Sequence, residues 1–140
     1  PAAARSELPT AAPAAAGSAA RPKPGEFRAV PELKDIHFDF DRYDIRPGDA
    51  AILDASARWL KQNDLLVLIE GHADERGTNA YNLALGERRA KAAMNYLVAQ
   101  GVAASRITVL SYGEERPVCT AHEEACWALN RRAHFLVRPR

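Results

Sequence analysis

The 140-residue chain carries 19 basic and 18 acidic side chains, a formal net charge of +1. So even a balance removes the electrostatic case for a nucleic-acid partner, and no polybasic patch marks a membrane-surface segment. No apolar run approaches the roughly 18 residues of a membrane span, and no charged-then-apolar leader is read; any such segment is expected to have been removed.

Residues 1–26, PAAARSELPTAAPAAAGSAARPKPGE, are almost all Ala, Pro, Ser and Gly. Such a stretch buries too little apolar surface to offset its ordering entropy, and Pro9, Pro13, Pro22 and Pro24 interrupt the alanine runs. The expected organisation is a disordered Ala/Pro-rich tether over 1–30, then one folded domain over 31–140.

Residues 35–40, DIHFDF, alternate polar and apolar, which predicts a half-buried strand with Ile36, Phe38 and Phe40 inward. Loop 41–44 follows. Pro47 suits the first turn of a helix and Asp49 its positive end. Ile52, Leu53, Ala57 and Leu60 recur at helical spacing with Trp59 flanking, and the helix ends by Asn63. The run LLVLI at 65–69 reads as a central strand stopped by Glu70-Gly71. A polar loop runs from His72 to Thr78, with Gly77 at a turn. A long helix begins near Asn79 or Ala80 and ends near Gln100, with Gly101 as its C-cap. RITVLSY at 106–112 predicts a third strand, residues 122–130 a short helix, and AHFLV at 133–137 a last strand. The order βαβαβ, then β, predicts an α/β (α+β) sandwich: a four-stranded mixed sheet with helices packed on one side, right-handed at its crossovers.

Asp74 stands between a strand's C-terminal end and a helix N-terminus, where unpaired N–H groups favour a small charged ligand. Asn82 and Arg89, seven residues apart, share a helix face with Leu85 between them; Ala93 and Leu97 continue that stripe. Arg89 therefore belongs at the edge of the packed face, and Arg88, about 100° round the helix, faces solvent or the surroundings of Glu87. Two readings stay open. Asp74 and Arg89 form a salt bridge pinning loop to helix, or they hold a zwitterion between them, ammonium on Asp74 and carboxylate on the Arg89 fork. Arg76 and Thr78 flank Asp74, where loop backbone groups complete such contacts; Asn82 braces the loop or touches the ligand directly, and Leu85 is counted with the ligand-binding residues. Asp41 reads as a turn residue or a ligand contact, and Tyr43 as a surface tyrosine or a wall for an aliphatic chain. Cys119 and Cys126 leave three possibilities: a loop disulfide, two free thiols, or a metal site shared with His122. Catalysis lacks a motif: there is no nucleophile elbow, phosphate-binding glycine loop or H-E-x-x-H. His37, His72, His122 and His134 are scattered, and a hydrolytic His72–Asp74 pair would lack a nucleophile. No cofactor is expected.

The pattern D-x-x-G-x4-N-x6-R-A, set by Asp74, Gly77, Asn82, Arg89 and Ala90, resembles the signature of the OmpA-like peptidoglycan-binding domains. With GHADERGT, YNLALGERRA, SYGEERP at 111–117 and NRR at 130–132, the chain is most similar to the lipoprotein branch of that family over roughly residues 35–138. The resemblance implies a non-enzymatic domain that binds the diaminopimelate side chain of the peptidoglycan stem peptide, whose free end is a zwitterion. It places Phe40 and Asp41 at the ligand cleft beside Asp74 and Arg89. It gives the NRR block a bracing role, with Arg131 or Arg132 ion-paired to the Asp74 loop or the sheet edge. It also implies a periplasmic, oxidising location at the outer membrane. The anchor would be an N-terminal lipidated Cys that this chain, starting at Pro1, lacks. The implied partners are the Tol system proteins, including their periplasmic propeller protein. The rivals are the same domain in a barrel porin or a flagellar stator, and, from a different class, a protein–protein adaptor.

Overall fold

The computed structural model describes residues 23–140. The tether expected for residues 1–22 lies outside them. The packed part begins before residue 31, directly after the Ala/Pro-rich stretch that ends at Glu26. Phe27 is buried, and Arg28 exchanges both backbone hydrogen bonds with Val137, at 2.9 Å each. The reason is an edge: the strand containing Val137 is otherwise paired on that side only near its start, so the incoming chain takes up its free groups.

The elements are β1 (Ile36–His37), α1 (Pro47–Gln62), β2 (Leu65–His72), α2 (Asn79–Ala99), β3 (Ile107–Gly113), α3 (Glu124–Asn130) and β4 (Arg132–Pro139). They form one four-stranded sheet in the order β1-β4-β2-β3. β2 and β3 are parallel, joined by the α2 crossover, while β4 lies antiparallel to both β1 and β2. The mixed α+β sandwich is as expected. β1 is shorter than the alternation over 35–40 predicts, because the chain leaves β4 after His37 and turns.

Val67 and Ile69 of β2 and Phe135 and Val137 of β4 point into the core against Leu53, Ala57 and Leu60 of α1 and Ala90, Ala93 and Leu97 of α2. α1 opens with Pro47, and the Asp49 carboxylate in its first turn accepts from the His37 backbone (3.3 Å) and Arg46 Nε (3.0 Å). α2 closes in a Schellman motif. Gly101 (φ 106°) donates to the Val98 carbonyl and Val102 to that of Leu97, at 3.0 Å each. Arg106 joins the α1 C-terminus to β2 by donating to the carbonyls of Leu60, Asn63 and Leu65. Cys119 and Cys126 are disulfide-bonded, which closes the loop before α3 and excludes the thiol and metal readings for this state.

One contact fixes how deep α2 sits on the sheet. Gly71 of β2 and Gly86 of α2 meet backbone to backbone, and a Cβ on Gly71 would lie 1.7 Å from the Gly86 carbonyl oxygen. Gly71→Ala is therefore expected to destabilise the domain by about 3 kcal/mol through overpacking against rigid backbone. Gly48→Ala, with nothing within 4 Å of its new methyl group, is expected to be neutral or to stabilise by up to about 1 kcal/mol. Urea unfolding of the two variants checks the opposite signs.

Candidate functional site

The site is built where β2 ends. Ala73 still bonds the Gly113 carbonyl (2.9 Å), and the chain then leaves the sheet. Gly77 adopts φ 101°, and Thr78 caps α2, its Oγ1 accepting from the Tyr81 backbone at 3.1 Å. With α2 anchored there, Asn82, Leu85, Gly86, Arg89, Ala90, Ala93 and Leu97 form its buried stripe, the face that the spacing predicts. Gly86 touches the strand, so Asn82 and Arg89 lie about one turn to either side of that contact, at the end of β2.

Asn82 braces the loop as expected. Its Nδ2 donates to the Arg76 carbonyl (3.0 Å) and Glu114 Oε1 (2.6 Å), with the Asp74 carbonyl at 3.2 Å.

Arg89 is fully buried. Its Nε donates to the Arg42 carbonyl (2.8 Å), Nη1 to that of His72 (3.0 Å) and Nη2 to that of Asp39 (3.1 Å). Burial first, and the Arg131 charge second, push its pKa down to about 10, so the guanidinium remains charged at neutral pH. No carboxylate among the described residues forms an ion pair with it. Three of its five N–H groups are used on carbonyls, and two remain.

The Asp74–Arg89 salt bridge, the plainer of the two readings, is absent among the described residues. Asp74 is bound from the other side. Its Oδ1 accepts from the Arg76 backbone (3.0 Å) and Nε (3.1 Å), its Oδ2 from Arg76 Nη2 (2.8 Å), and Arg131 Nη1 lies 3.5 Å away. Burial opposes ionisation of this carboxyl. The Arg76 side-chain and backbone bonds and charge, with Arg131 behind them, outweigh burial and hold it below the usual carboxylate range. Arg131 also donates to the Phe38 carbonyl (2.8 Å) and pairs with Glu124 (2.8 Å), so it braces the loop. Arg132 faces Asp35 at 3.6 Å, away from the site.

Between these two charged groups lies a cavity of about 440 Å³. Phe40, Asp41, Asp74, Arg76, Thr78, Asn82, Leu85 and Arg89, the eight residues singled out from the sequence, all line it, joined by Ala73, Gly77 and Tyr81. Phe40 is not the inward strand residue that the alternation predicts. It is 54% exposed, because the chain turns after Phe38 and Asp41 takes φ 59°, which carries Phe40 out to the rim. There its ring stacks on the Arg76 guanidinium at 4.0 Å, with Trp127 of α3 on the opposite side at 4.1 Å. The Asp41 carboxylate accepts from the Tyr81 hydroxyl.

Tyr43 is outside the cavity wall, and the half-buried Arg88 lies over its ring at 5.5 Å. His72 contributes its carbonyl to Arg89. Its buried imidazole stacks on Tyr112 and does not reach the cavity, so it forms no catalytic pair with Asp74. Tyr81 and Trp127 escape sequence reasoning. Tyr81 is three residues past the Thr78 cap and falls off the buried stripe; Trp127 arrives from 53 positions beyond Asp74.

Comparison with known proteins gives the family and the fold. The OmpA family matches residues 37–131. The chain is similar to the peptidoglycan-associated lipoprotein of Pseudomonas aeruginosa, 48% identical over 107 residues, which cover 76% of this chain and 64% of that protein. It therefore spans a little under two thirds of that relative. Among solved structures, it is similar to the peptidoglycan-associated lipoprotein from Burkholderia pseudomallei, with a TM-score of 0.73 and 42% identity over 75% of this chain and 90% of that one. The C-terminal domain of Helicobacter pylori MotB, with a TM-score of 0.71 but 16% identity over 77% of this chain and 86% of that one, shares the fold alone. The chain belongs to the OmpA family, in its peptidoglycan-associated lipoprotein branch.

Proposed function

We propose that this domain binds peptidoglycan non-covalently by holding the zwitterionic end of diaminopimelate in the cavity between Arg89 and Asp74. The observation that carries the reading is the Arg89 guanidinium: charged, fully buried, satisfied only by carbonyls, and lining the same cavity as a carboxylate. A ligand carboxylate supplies the anion this group lacks, taking its two remaining N–H groups. The ammonium goes to Asp74 and the aliphatic chain lies along Leu85 and Tyr81. The volume falls within the range of small-molecule sites. The names of the related lipoproteins point to the cell wall as the source of the ligand. Binding without turnover is the activity.

In the whole protein, an N-terminal lipid anchor beyond this chain would hold the domain on the periplasmic face of the outer membrane, tethering membrane to wall. The Tol system proteins, the periplasmic propeller protein among them, would be its partners there. An adaptor role in which the charges only stabilise the loop draws on one observation, the existing Asp74–Arg76 pair. It leaves the Arg89 charge unexplained.

Titration of the domain with a diaminopimelate-containing muropeptide, followed by residue-resolved chemical shifts, should perturb the 73–78 loop and α2 around Arg89. The lysine-containing muropeptide, which lacks the side-chain carboxylate, should bind at least about tenfold more weakly. Asp74→Asn should keep the fold and cost at least about tenfold in affinity. Arg89→Lys should abolish measurable binding and also destabilise the domain by about 2–3 kcal/mol, since an ammonium cannot reach three diverging carbonyls. Unaltered binding by both folded variants would favour the adaptor.

The acid limb of stability should also report on Asp74. Its folded-state pKa is depressed, so its contribution is complete above the unfolded carboxylate value, about 4, and is lost as pH falls through the lower folded value. The stability gap between wild type and Asp74→Asn should therefore be constant from about pH 8 to 5 and close below about pH 4, as measured by chemical denaturation.

A further inference from the structure

The two halves of the cavity are in different electrostatic states. Arg89 has no carboxylate partner among the described residues, whereas Asp74 already holds a cation. Arg76 grips it with Nε at 3.1 Å and Nη2 at 2.8 Å, as an amino-acid ammonium would from within the cavity. We infer that Arg76 is a built-in competitor for the cationic end of the ligand, and so the residue that sets how strongly the site distinguishes a zwitterion from a plain carboxylate. The inference rests on the zwitterion reading above and concerns its selectivity.

The surroundings of Arg76 fit a displaceable group. Its side chain is 33% exposed, against 5% for Asp74. Its guanidinium is sandwiched by Phe40 and Trp127, two faces that tolerate sliding because a cation–π contact has no fixed hydrogen-bond geometry. A second anion lies beside it: Glu124 Oε1 is 3.8 Å from Nη2, and Glu124 is largely solvent-exposed. An incoming ammonium can therefore take over Asp74 while the guanidinium shifts between the same rings toward Glu124. Neither charge is stranded. Asp74 itself stays in place through the exchange, because Arg131 and the Arg76 backbone N–H still hold it.

The consequence is an asymmetry. A carboxylate whose neighbouring amine is acylated needs only Arg89 and leaves the Arg76–Asp74 pair intact. A zwitterion gains Asp74 but must first break that pair. Arg76 thus narrows the preference for a free amine and softens binding to the correct end.

Calorimetric titration of wild type, Arg76→Gln and Glu124→Gln tests this, using the diaminopimelate muropeptide and the same muropeptide N-acetylated at the diaminopimelate side chain. Arg76→Gln should bind the free-amine form about three- to tenfold more tightly and the acetylated form within about twofold of wild type. Glu124→Gln, which removes the anion but keeps an oxygen acceptor for Arg131, should weaken only the free-amine form by a few-fold. That effect should vanish in the double variant with Arg76→Gln. Weaker free-amine binding by Arg76→Gln would make Arg76 a ligand contact and overturn the inference, as would an unchanged ratio between the two forms. Those outcomes leave the wall-binding reading intact, whereas no binding of either muropeptide to any of the proteins overturns both.

Discussion

A buried guanidinium held by three carbonyls is the constraint on which the rest of this domain turns. Arg89 takes its acceptors from Asp39 and Arg42, in the turn after β1, and from His72, the last residue of β2. Those groups come from chain segments about 30 residues apart in sequence, and one planar fork on α2 brings them to a common point. An ammonium at the same place could satisfy fewer of them, and an apolar side chain would remove this donor from all three, leaving the buried His72 carbonyl without it. The cost of burying the charge shows in the depressed pKa. That cost is what an arriving carboxylate would relieve, which couples binding to the stability of the fold itself.

The Gly71–Gly86 contact makes this arrangement reachable. Without a side chain on either glycine, α2 settles onto β2 closely enough for a guanidinium one turn further along to meet the strand's last carbonyl. Asn82, one turn in the other direction, meets the carbonyls of the departing loop. A single close approach therefore sets both hydrogen-bonding groups at once, and the cavity is the space left between them. The far wall comes from elsewhere. The disulfide closes the segment before α3, and Trp127 of that helix reaches back to Arg76 and, through its indole N–H, to Glu75 at 2.8 Å.

How much of this could be read from residues alone follows the range of the interactions. Helical spacing put Asn82, Leu85 and Arg89 on one buried face, and the punctuation at Gly71, Gly77 and Gly101 marked where elements begin and end; these are local signals, and the structure keeps them. Phe40 went astray for a local reason of another kind. Alternation was extrapolated two residues past the point where the backbone turns, and the positive φ of Asp41 has no strong signature at a non-glycine residue. The ion-pair partners were illegible in principle. Whether Asp74 pairs with Arg76 in its own loop, Arg89 on the following helix or Arg131 from far along the chain depends on how loop, helix and sheet together place each fork, and charge spacing along the chain does not encode it. The packed part starts a few residues before position 31, where the composition already changes at Glu26, because the edge of β4 recruits Arg28 through backbone groups that every residue carries.

Rigidity is distributed unevenly around the cavity, and the distribution matters for binding. Arg89 is immobilised by carbonyls on three sides, Asn82 by the loop backbone, and Asp74 by Arg131 and a backbone N–H; each is at least nine-tenths buried. Groups fixed in this way lose little further freedom when a ligand arrives, so the few charge-assisted bonds they offer are realised nearly in full. The partly exposed Arg76, held by stacking and by ion pairs to Asp74 and Glu124, is the exception. An anchor to a polymer must hold against thermal motion of the envelope yet release and rebind as the wall is remodelled. If the proposed binding mode holds, a preorganised anion site beside a cation site that must first be cleared would meet both demands: the fixed half would supply orientation, and the exchangeable half would keep the complex from becoming permanent.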